Sequence, residues 1–405
     1  MQPFSCWALL FVALVAASRS TSSLVTIPLT KLDRTGSYLQ GSPHADRARA
    51  SFLKTRTTSG STTVPASNLA YMQYTTSVGV GSPATYYNLV VDTGSSNTFI
   101  GTGKTYVRTS TSAPTGQHVN VTYGLGFFTG VEYSDTVTLA PDLVIANQSI
   151  GDALQYADFE GVDGIIGVGP VDLTNGTLSP DNTLIPTIMN NALKQGLIKK
   201  EILGVLFAPP ATYNDTNGVI TYGGIDHALY TGKMSYAPVT ETYPASLFWG
   251  INVTELTCGT HTVIPQSTAG IVDTGTTLVL LADDFFDVYL DAIPGAYLDD
   301  DNNTGLLVIP SSSVADMQPL NFKIGDTVFS MDIAAQLVPL DQNTAWGGQA
   351  GVQYGVVGKL GTDSGGGLDF IIGQKFMEKY YAVFDAHSNR VGFGYTNHTF
   401  SKYSP

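Results

Sequence analysis

A chain of 405 residues can bury one large core or two medium ones. Charged residues make up 13% of it, against roughly 25% in an average soluble domain. The formal charge of −14 argues against a nucleic-acid partner.

Read from the N-terminus, residues 7–17 form an apolar run followed by the small residues Ala16, Ala17 and Ser18. This reads as a secretory signal peptide spanning 1–20, although no Lys or Arg precedes it. The run is too short to span a bilayer, and no longer one follows, so no membrane association is expected. Residues 21–59 are polar, basic and weakly patterned, which suits a propeptide. Before Gly60 there are seven basic residues against two acids, leaving 12 basic and 31 acidic residues in the remainder. A basic leader on an acidic body suggests electrostatic attachment at neutral pH that acid would weaken. The plainer alternative is a solvated basic linker. Maturation is expected between residues 56 and 66.

From there on short β-type runs dominate, at 70–80, 86–91, 118–123 and 130–139. Two segments have helical spacing. Residues 184–195 place Ile185, Ile188, Met189, Ala192 and Leu193 on one face, with Gly196 as a cap. Residues 283–293 do the same with Phe286, Tyr289, Leu290 and Ile293, and Asp283 is positioned to cap the start. Cys6 would leave with the signal peptide, so Cys258 stands alone and is expected as a small buried residue. Seven Asn-x-Ser/Thr sequons (Asn120, Asn147, Asn175, Asn214, Asn252, Asn302 and Asn397) fit a secreted glycoprotein.

One motif occurs twice. Leu89-Val90-Val91 leads into Asp92-Thr93-Gly94-Ser95, and Gly270-Ile271-Val272 leads into Asp273-Thr274-Gly275-Thr276. Each copy is followed later by two apolar residues and Gly: Ile165-Ile166-Gly167 and Ile371-Ile372-Gly373. Two copies of one sub-architecture imply two lobes, 60–240 and 241–405, with a cleft between them. An Asp ending a buried strand is fixed by the sheet. The Gly permits a tight turn and brings backbone N–H groups to the carboxylate. Thr93 and Thr274 can bond across to the opposite loop, and Ser95 and Thr276 can donate to the outer carboxylate oxygens. Two carboxylates held face to face share a proton, a case for which the aspartic-protease dyad is the standard illustration. Such a pair supplies a base for a water and an acid for a carbonyl oxygen, which is direct amide hydrolysis without metal or cofactor.

With these motifs the chain resembles the pepsin-like aspartic endopeptidases, and within them the fungal branch, over residues 62–395. Matching stretches include Val121-Thr122-Tyr123-Gly124, Asp163-Gly164-Ile165-Ile166-Gly167, Gly223-Gly224-Ile225-Asp226 and Tyr381-Ala382-Val383-Phe384-Asp385. The resemblance implies a mainly all-β, bilobal pepsin-like acid protease fold. Two pseudo-symmetric β lobes would flank a central cleft covered by a β-hairpin flap. It implies Asp92 and Asp273 as catalytic residues and Tyr123, Gly124 and Leu125 as the substrate-binding flap. Val90 and Ile165 would line a subsite, and Lys54 would pair with the dyad in the precursor. Expected partners are protein or peptide substrates, the chain's own propeptide and pepstatin-type inhibitors, for a monomer.

Three departures stand out. Phe99 replaces a Trp whose indole bonds the flap tyrosine, which suggests a looser flap and lower turnover. Leu125 and Phe127 replace polar flap residues, which suggests preference for large apolar residues around the cut and poor cleavage after Lys. The disulfides of many relatives are missing.

Rival chemistries fare worse. Asp363-Ser364-Gly365-Gly366 looks like a serine-nucleophile loop but lacks a suitable His context. The six His show no metal-ligand spacing. A glycosidase would not require twin turns. An inactive pepsin-like binding module is the remaining alternative, although both turns are intact.

Overall fold

In a computed structural model of the chain, residues 24–31, 36–55, 74–123, 126–159, 161–207, 218–299 and 303–400 are described. The signal-peptide expectation, the maturation site, Gly124, Leu125 and the sequons at Asn214 and Asn302 lie outside them.

Among these residues strands join into a 14-stranded sheet, an 8-stranded sheet and a small 3-stranded one. The halves repeat one arrangement around their Asp. On the first side the strand Thr85–Asp92 pairs in parallel with Gly164–Gly167, and Thr98–Ile100 runs antiparallel to the latter. On the second side Thr268–Val272 pairs in parallel with Phe370–Ile372, and Val279–Leu281 runs antiparallel to it. Where they approach the Asp these strands are buried on both faces, which explains why the lead-ins are continuous apolar runs rather than alternating ones.

The halves are not separate in sequence. The last two strands, Tyr380–Asp385 and Arg390–Tyr395, pair with Ile202–Phe207 and Thr231–Pro238. The C-terminus thus closes a sheet begun by the first half, and a cut at residue 240 does not separate two independent cores.

The leader is built into this framework. Its strand Val25–Lys31 lies between Gly218–Tyr222 and Tyr74–Val80 in the large sheet. It is followed by helix α1 (Ser42–Thr55). Leu29, Leu39, Ala50 and Leu53 are all buried and belong to the main core. Electrostatics therefore contribute only part of the attachment. Strand pairing and apolar burial, each buried leucine contributing about 1.5–3 kcal/mol, supply the rest.

Helix α2 (Ile188–Lys194) begins later than its apolar pattern suggests. Thr187 caps it, accepting a bond from Asn190 N while the Asn190 side chain bonds back to Thr187 N. Gly196 follows in the left-handed conformation. Helix α3 (Asp283–Asp291) is not capped by Asp283. Ala282 holds that position, and the Asp283 carboxylate accepts a bond from Gly361 N instead. Cys258 is buried, with its thiol 3.8 Å from the Gln318 carbonyl.

Candidate active site

The two Asp-Thr-Gly loops meet between the halves. Asp92 and Asp273 are fully buried, as are Thr93, Thr274 and Thr276, and Ser95 is nearly so. The threonines link the loops reciprocally. Thr93 N donates to Thr274 Oγ1 at 3.0 Å and Thr274 N donates to Thr93 Oγ1 at 2.9 Å. Their hydroxyls donate onward to Val272 O and Val91 O, each in the opposite half.

Each carboxylate is oriented by its own loop. Gly94 N donates to Asp92 Oδ1 and Gly275 N to Asp273 Oδ1, both at 3.0 Å. The outer oxygens accept from Ser95 Oγ at 2.5 Å and Thr276 Oγ1 at 2.6 Å. The two glycines are required for space rather than for an unusual φ, since neither has a positive one. A Cβ at Gly94 would lie 2.7 Å from Asp273 Oδ1, and one at Gly275 would lie 2.5 Å from Asp92 Oδ1. Only a residue without a side chain lets each turn approach the opposite carboxylate so closely.

Helix α1 occupies this centre. Arg49 Nη2 donates to Asp92 Oδ1 at 2.6 Å and to Asp273 Oδ1 at 3.0 Å, while Nε donates to Asp273 Oδ2 at 2.6 Å. One turn earlier, the Asp46 carboxylate accepts bonds from Thr277 N at 3.1 Å and Leu278 N at 2.8 Å. Lys54, expected at the dyad, is not there. Its ammonium donates to Thr362 Oγ1. Lys54 lies five residues beyond Arg49, on a different face of the helix.

The charges respond to this environment. Burial pushes Asp92 up, more strongly than its single bond from Arg49 pulls it down. Burial acts on Asp273 as well, but Arg49, bonding it through two nitrogens, with Thr276 and Gly275, holds it below the usual carboxylate range. The guanidinium itself stays charged. Asp46 is raised to about 7, because burial outweighs its backbone donors.

The segment expected as the flap is a hairpin of Ala113–Tyr123 and Gly126–Ala140, with Tyr123 opposite Gly126. Tyr123 is buried against a compact aromatic group. Phe99 lies 5.7 Å from it between ring centroids, 3.9 Å from Phe128 in a stack, and 5.2 Å from Phe159 edge-on. Val90 and Ile165 belong to the same cluster and are buried behind the tyrosine. Ser364, the rival nucleophile, donates its hydroxyl to Asp284 at 2.7 Å and so fastens a turn.

Sequence reasoning missed Arg49 and Asp46. The available signal was their i, i+3 spacing within what became the helix Ser42–Thr55. Four basic residues within ten positions concealed which one reaches the centre.

Two carboxylates facing each other across a pseudo-two-fold, each fixed by a hydroxyl and a backbone N–H, define an acid–base hydrolase of the two-aspartate class. The eukaryotic aspartyl protease family matches residues 73–396, and the chain belongs to that family. It is 52% identical to polyporopepsin of Irpex lacteus over 337 residues, covering 83% of this chain and 97% of that protein. It is 29% identical to gastricsin of Cavia porcellus, covering 80% and 81%. The crystal structure of aspartic proteinase from Irpex lacteus superposes with a TM-score of 0.80 at 45% identity, covering 94% of this chain and all of that one. The chain is thus an aspartic-type endopeptidase with the mainly β, bilobal fold of that family.

Proposed function

We propose that the chain is the precursor of a secreted endopeptidase that works at acidic pH, with Asp92 and Asp273 as its catalytic pair. The observation that carries this reading is a single guanidinium nitrogen bonded to an oxygen of each carboxylate, which brings both carboxylates to one point between the loops. Residues 21–59 act as the propeptide and Arg49 fills the position of the attacking water. Once α1 leaves, the carboxylates share one proton. The ionised one takes a proton from water while the protonated one donates to the substrate carbonyl oxygen. The resulting tetrahedral centre collapses as a proton returns to the leaving nitrogen. Thr93 and Thr274 brace the loops, and Ser95 and Thr276 hold the outer oxygens. Tyr123, Gly124 and Leu125 close over the substrate, and Val90 and Ile165 back the subsite that receives a large apolar residue. The sequons at Asn120, Asn147, Asn175, Asn252 and Asn397 are exposed, which supports passage through a glycosylating pathway. No helix among the described residues is long and apolar enough to cross a membrane. The enzyme acts as a monomer on protein or peptide substrates and binds pepstatin-type inhibitors.

The test is casein hydrolysis from pH 2 to 7 by wild type and Asp92→Asn, with and without pepstatin. Acid-optimal activity removed by either treatment is expected, with a loss of at least about a thousandfold in the variant. Activity surviving both would overturn the dyad, and no activity after acid treatment would favour a binding module.

A further inference from the structure

Behind the two Asp-Thr-Gly loops the halves differ at one side chain. On the second side the short helix Gln374–Met377 begins against the Asp273 turn, where Gln374 N donates to Thr276 O at 2.8 Å. The side chain meets the same loop, Nε2 donating to Thr274 O, also at 2.8 Å. On the first side Gly169 N donates to Ser95 O, the matching carbonyl, at 2.8 Å. Gly169 has no side chain to offer. A Cβ there would lie 2.8 Å from Thr93 O, and among the described residues no donor bonds that carbonyl. The Thr274 carbonyl and the Gly275 N–H belong to one peptide group, and that N–H donates to Asp273 Oδ1 at 3.0 Å. Gln374, this peptide and Asp273 therefore form two hydrogen bonds in series, and bonds in such a chain strengthen one another by about 10–30%. The corresponding bond from Gly94 N to Asp92 Oδ1 has no donor behind it. The amide is retained at a cost. Gln374 is buried and its Oε1 has no hydrogen-bond partner, whereas an apolar side chain of similar shape would leave no orphaned oxygen.

We propose that Gln374 is a positioning residue of the dyad. Through the Thr274–Gly275 peptide it strengthens the N–H donated to Asp273, favours the ionised form of that carboxylate and makes the two aspartates unequal. The inference rests on the reading above that the dyad cleaves peptides. Neither bond in the series involves α1, so the device persists in the mature enzyme. With α1 gone, Arg49 and Asp46 leave with it, and Asp92 is the titratable group that still faces Asp273. Lys375 and Glu378, on the same short helix as Gln374, pair with each other at 3.1 Å.

The test compares acid-matured wild type, Gln374→Met and Gln374→Glu on one peptide with an apolar cleavage site, with kcat and KM measured from pH 2 to 7. Gln374→Met keeps the volume and removes the donor. One limb of its kcat/KM profile is expected to move up by about half a pH unit, with kcat at the optimum about threefold lower and KM unchanged. Gln374→Glu restores a donor only while its own carboxyl is protonated, and burial favours that form in acid. It is expected to match wild type within about twofold at pH 3 and to lose about tenfold more than Gln374→Met as pH rises and its carboxyl ionises. A merely structural role would lower both variants by one factor at every pH. That result, or profiles that superimpose on wild type, would overturn the proposal while leaving the protease reading intact. If Gln374→Met does not fold, Gln374→Glu decides alone, and a rate that runs parallel to wild type across the pH range overturns the proposal. Absence of pepstatin-sensitive cleavage by wild type would overturn the protease reading and the proposal with it.

Discussion

The two Asp-Thr-Gly loops are nearly identical in sequence and in their internal bonds, yet the protein treats them differently. Asp273 receives two nitrogens of Arg49, and the backbone just beyond it, at Thr277 and Leu278, is bonded by Asp46. Asp92 receives one nitrogen, and its half carries the flap and the aromatic cluster. The second half holds more of helix α1, whereas the first half pairs with the strand Val25–Lys31 and carries the hairpin. A duplicated motif fixes the chemistry of the pair, and the unlike surroundings decide which carboxylate keeps the proton. That division is a property of the two groups together.

The largest expected effect tests the anchoring. Replacing Arg49 with Gln leaves two buried carboxylates facing each other without a cation. Loss of one partner of a buried ion pair costs about 3–5 kcal/mol. The precursor is expected to mature more than about a hundredfold faster at pH 5, read by N-terminal processing. Arg49→Lys is expected to fall between, because one ammonium cannot bond both carboxylates in a planar fork. Unchanged maturation in Arg49→Gln would mean that strand Val25–Lys31 alone retains the leader.

Asp46 sharpens the comparison through pH. Its docked value is about 7 against an ordinary 3.8, so its ionised form is penalised when α1 is in place. By linkage, Asp46 makes docking tighter as pH falls from 7 towards 4 and adds nothing further below that. Asp92, also raised, acts in the same sense, Arg49 stays charged throughout, and Asp273 acts in the opposite sense. Asp273 is depressed in the complex, so its contribution holds above the ordinary carboxylate range and is lost below it. The leader should therefore be retained through mild acid and released only in strong acid, rather than loosening steadily from neutrality. Asp46→Asn is expected to remove the first arm. Release at pH 7 slows about tenfold, while release at pH 3 stays within about twofold of wild type. A variant that releases its leader faster at pH 7 would show that the charged carboxylate is a net attachment.

The site's chemistry was legible in the sequence because it is local. The Asp, its supporting hydroxyl and the close-approach Gly lie within four residues, and the apolar lead-in fixes them on a strand. The occupant of the site was not legible. Whether Arg47, Arg49, Lys54 or Arg56 meets the dyad depends on the angle at which α1 docks, and that is set by Leu53 and Ala50 reaching the core. The strand Val25–Lys31 was hidden by its Pro and its polar neighbours. Its partner Gly218–Tyr222 lies nearly two hundred residues away. Element ends failed for local reasons, as at Thr187, where a capping box using Asn190 starts the helix four residues late.

On the flap side the contrast concerns a buried acid. Glu132, in the hairpin strand Gly126–Ala140, is almost wholly enclosed, with Ser149 Oγ donating to Oε1 and no bond at Oε2. Burial raises it to about 7 from 4.5. Because the folded value is raised, this half is most stable below the ordinary value. It loses stability as pH climbs from about 4.5 to 7, by about 3 kcal/mol at most. Glu132→Gln is expected to raise Tm at pH 8 by several degrees and to change it little at pH 4. Equal shifts at both pH values would show that the acid is not the source of neutral-pH instability.

The smallest effect concerns Phe99, the first-half counterpart of Leu280. Both pair with the first Ile of the Ile-Ile-Gly motif, at Ile165 and Ile371. Leu280 faces only core, whereas Phe99 touches the flap tyrosine and stacks on Phe128. The ring packing restrains Tyr123 without a directed hydrogen bond from position 99, so the flap is held by shape alone at that contact. Phe99→Trp adds an indole N–H but also volume in a site where the Phe is fully buried, and such overpacking costs about 1–3 kcal/mol. The expected outcome is a lower Tm together with a kcat higher by about twofold to threefold on a peptide with apolar residues at the cut. Leu280→Met, a swap of similar volume, should leave kcat unchanged and supplies the matched control in the other half. If Phe99→Trp lowers Tm but leaves kcat and KM at wild-type values, the aromatic cluster already positions Tyr123 fully. Position 99 would then differ from position 280 only in size.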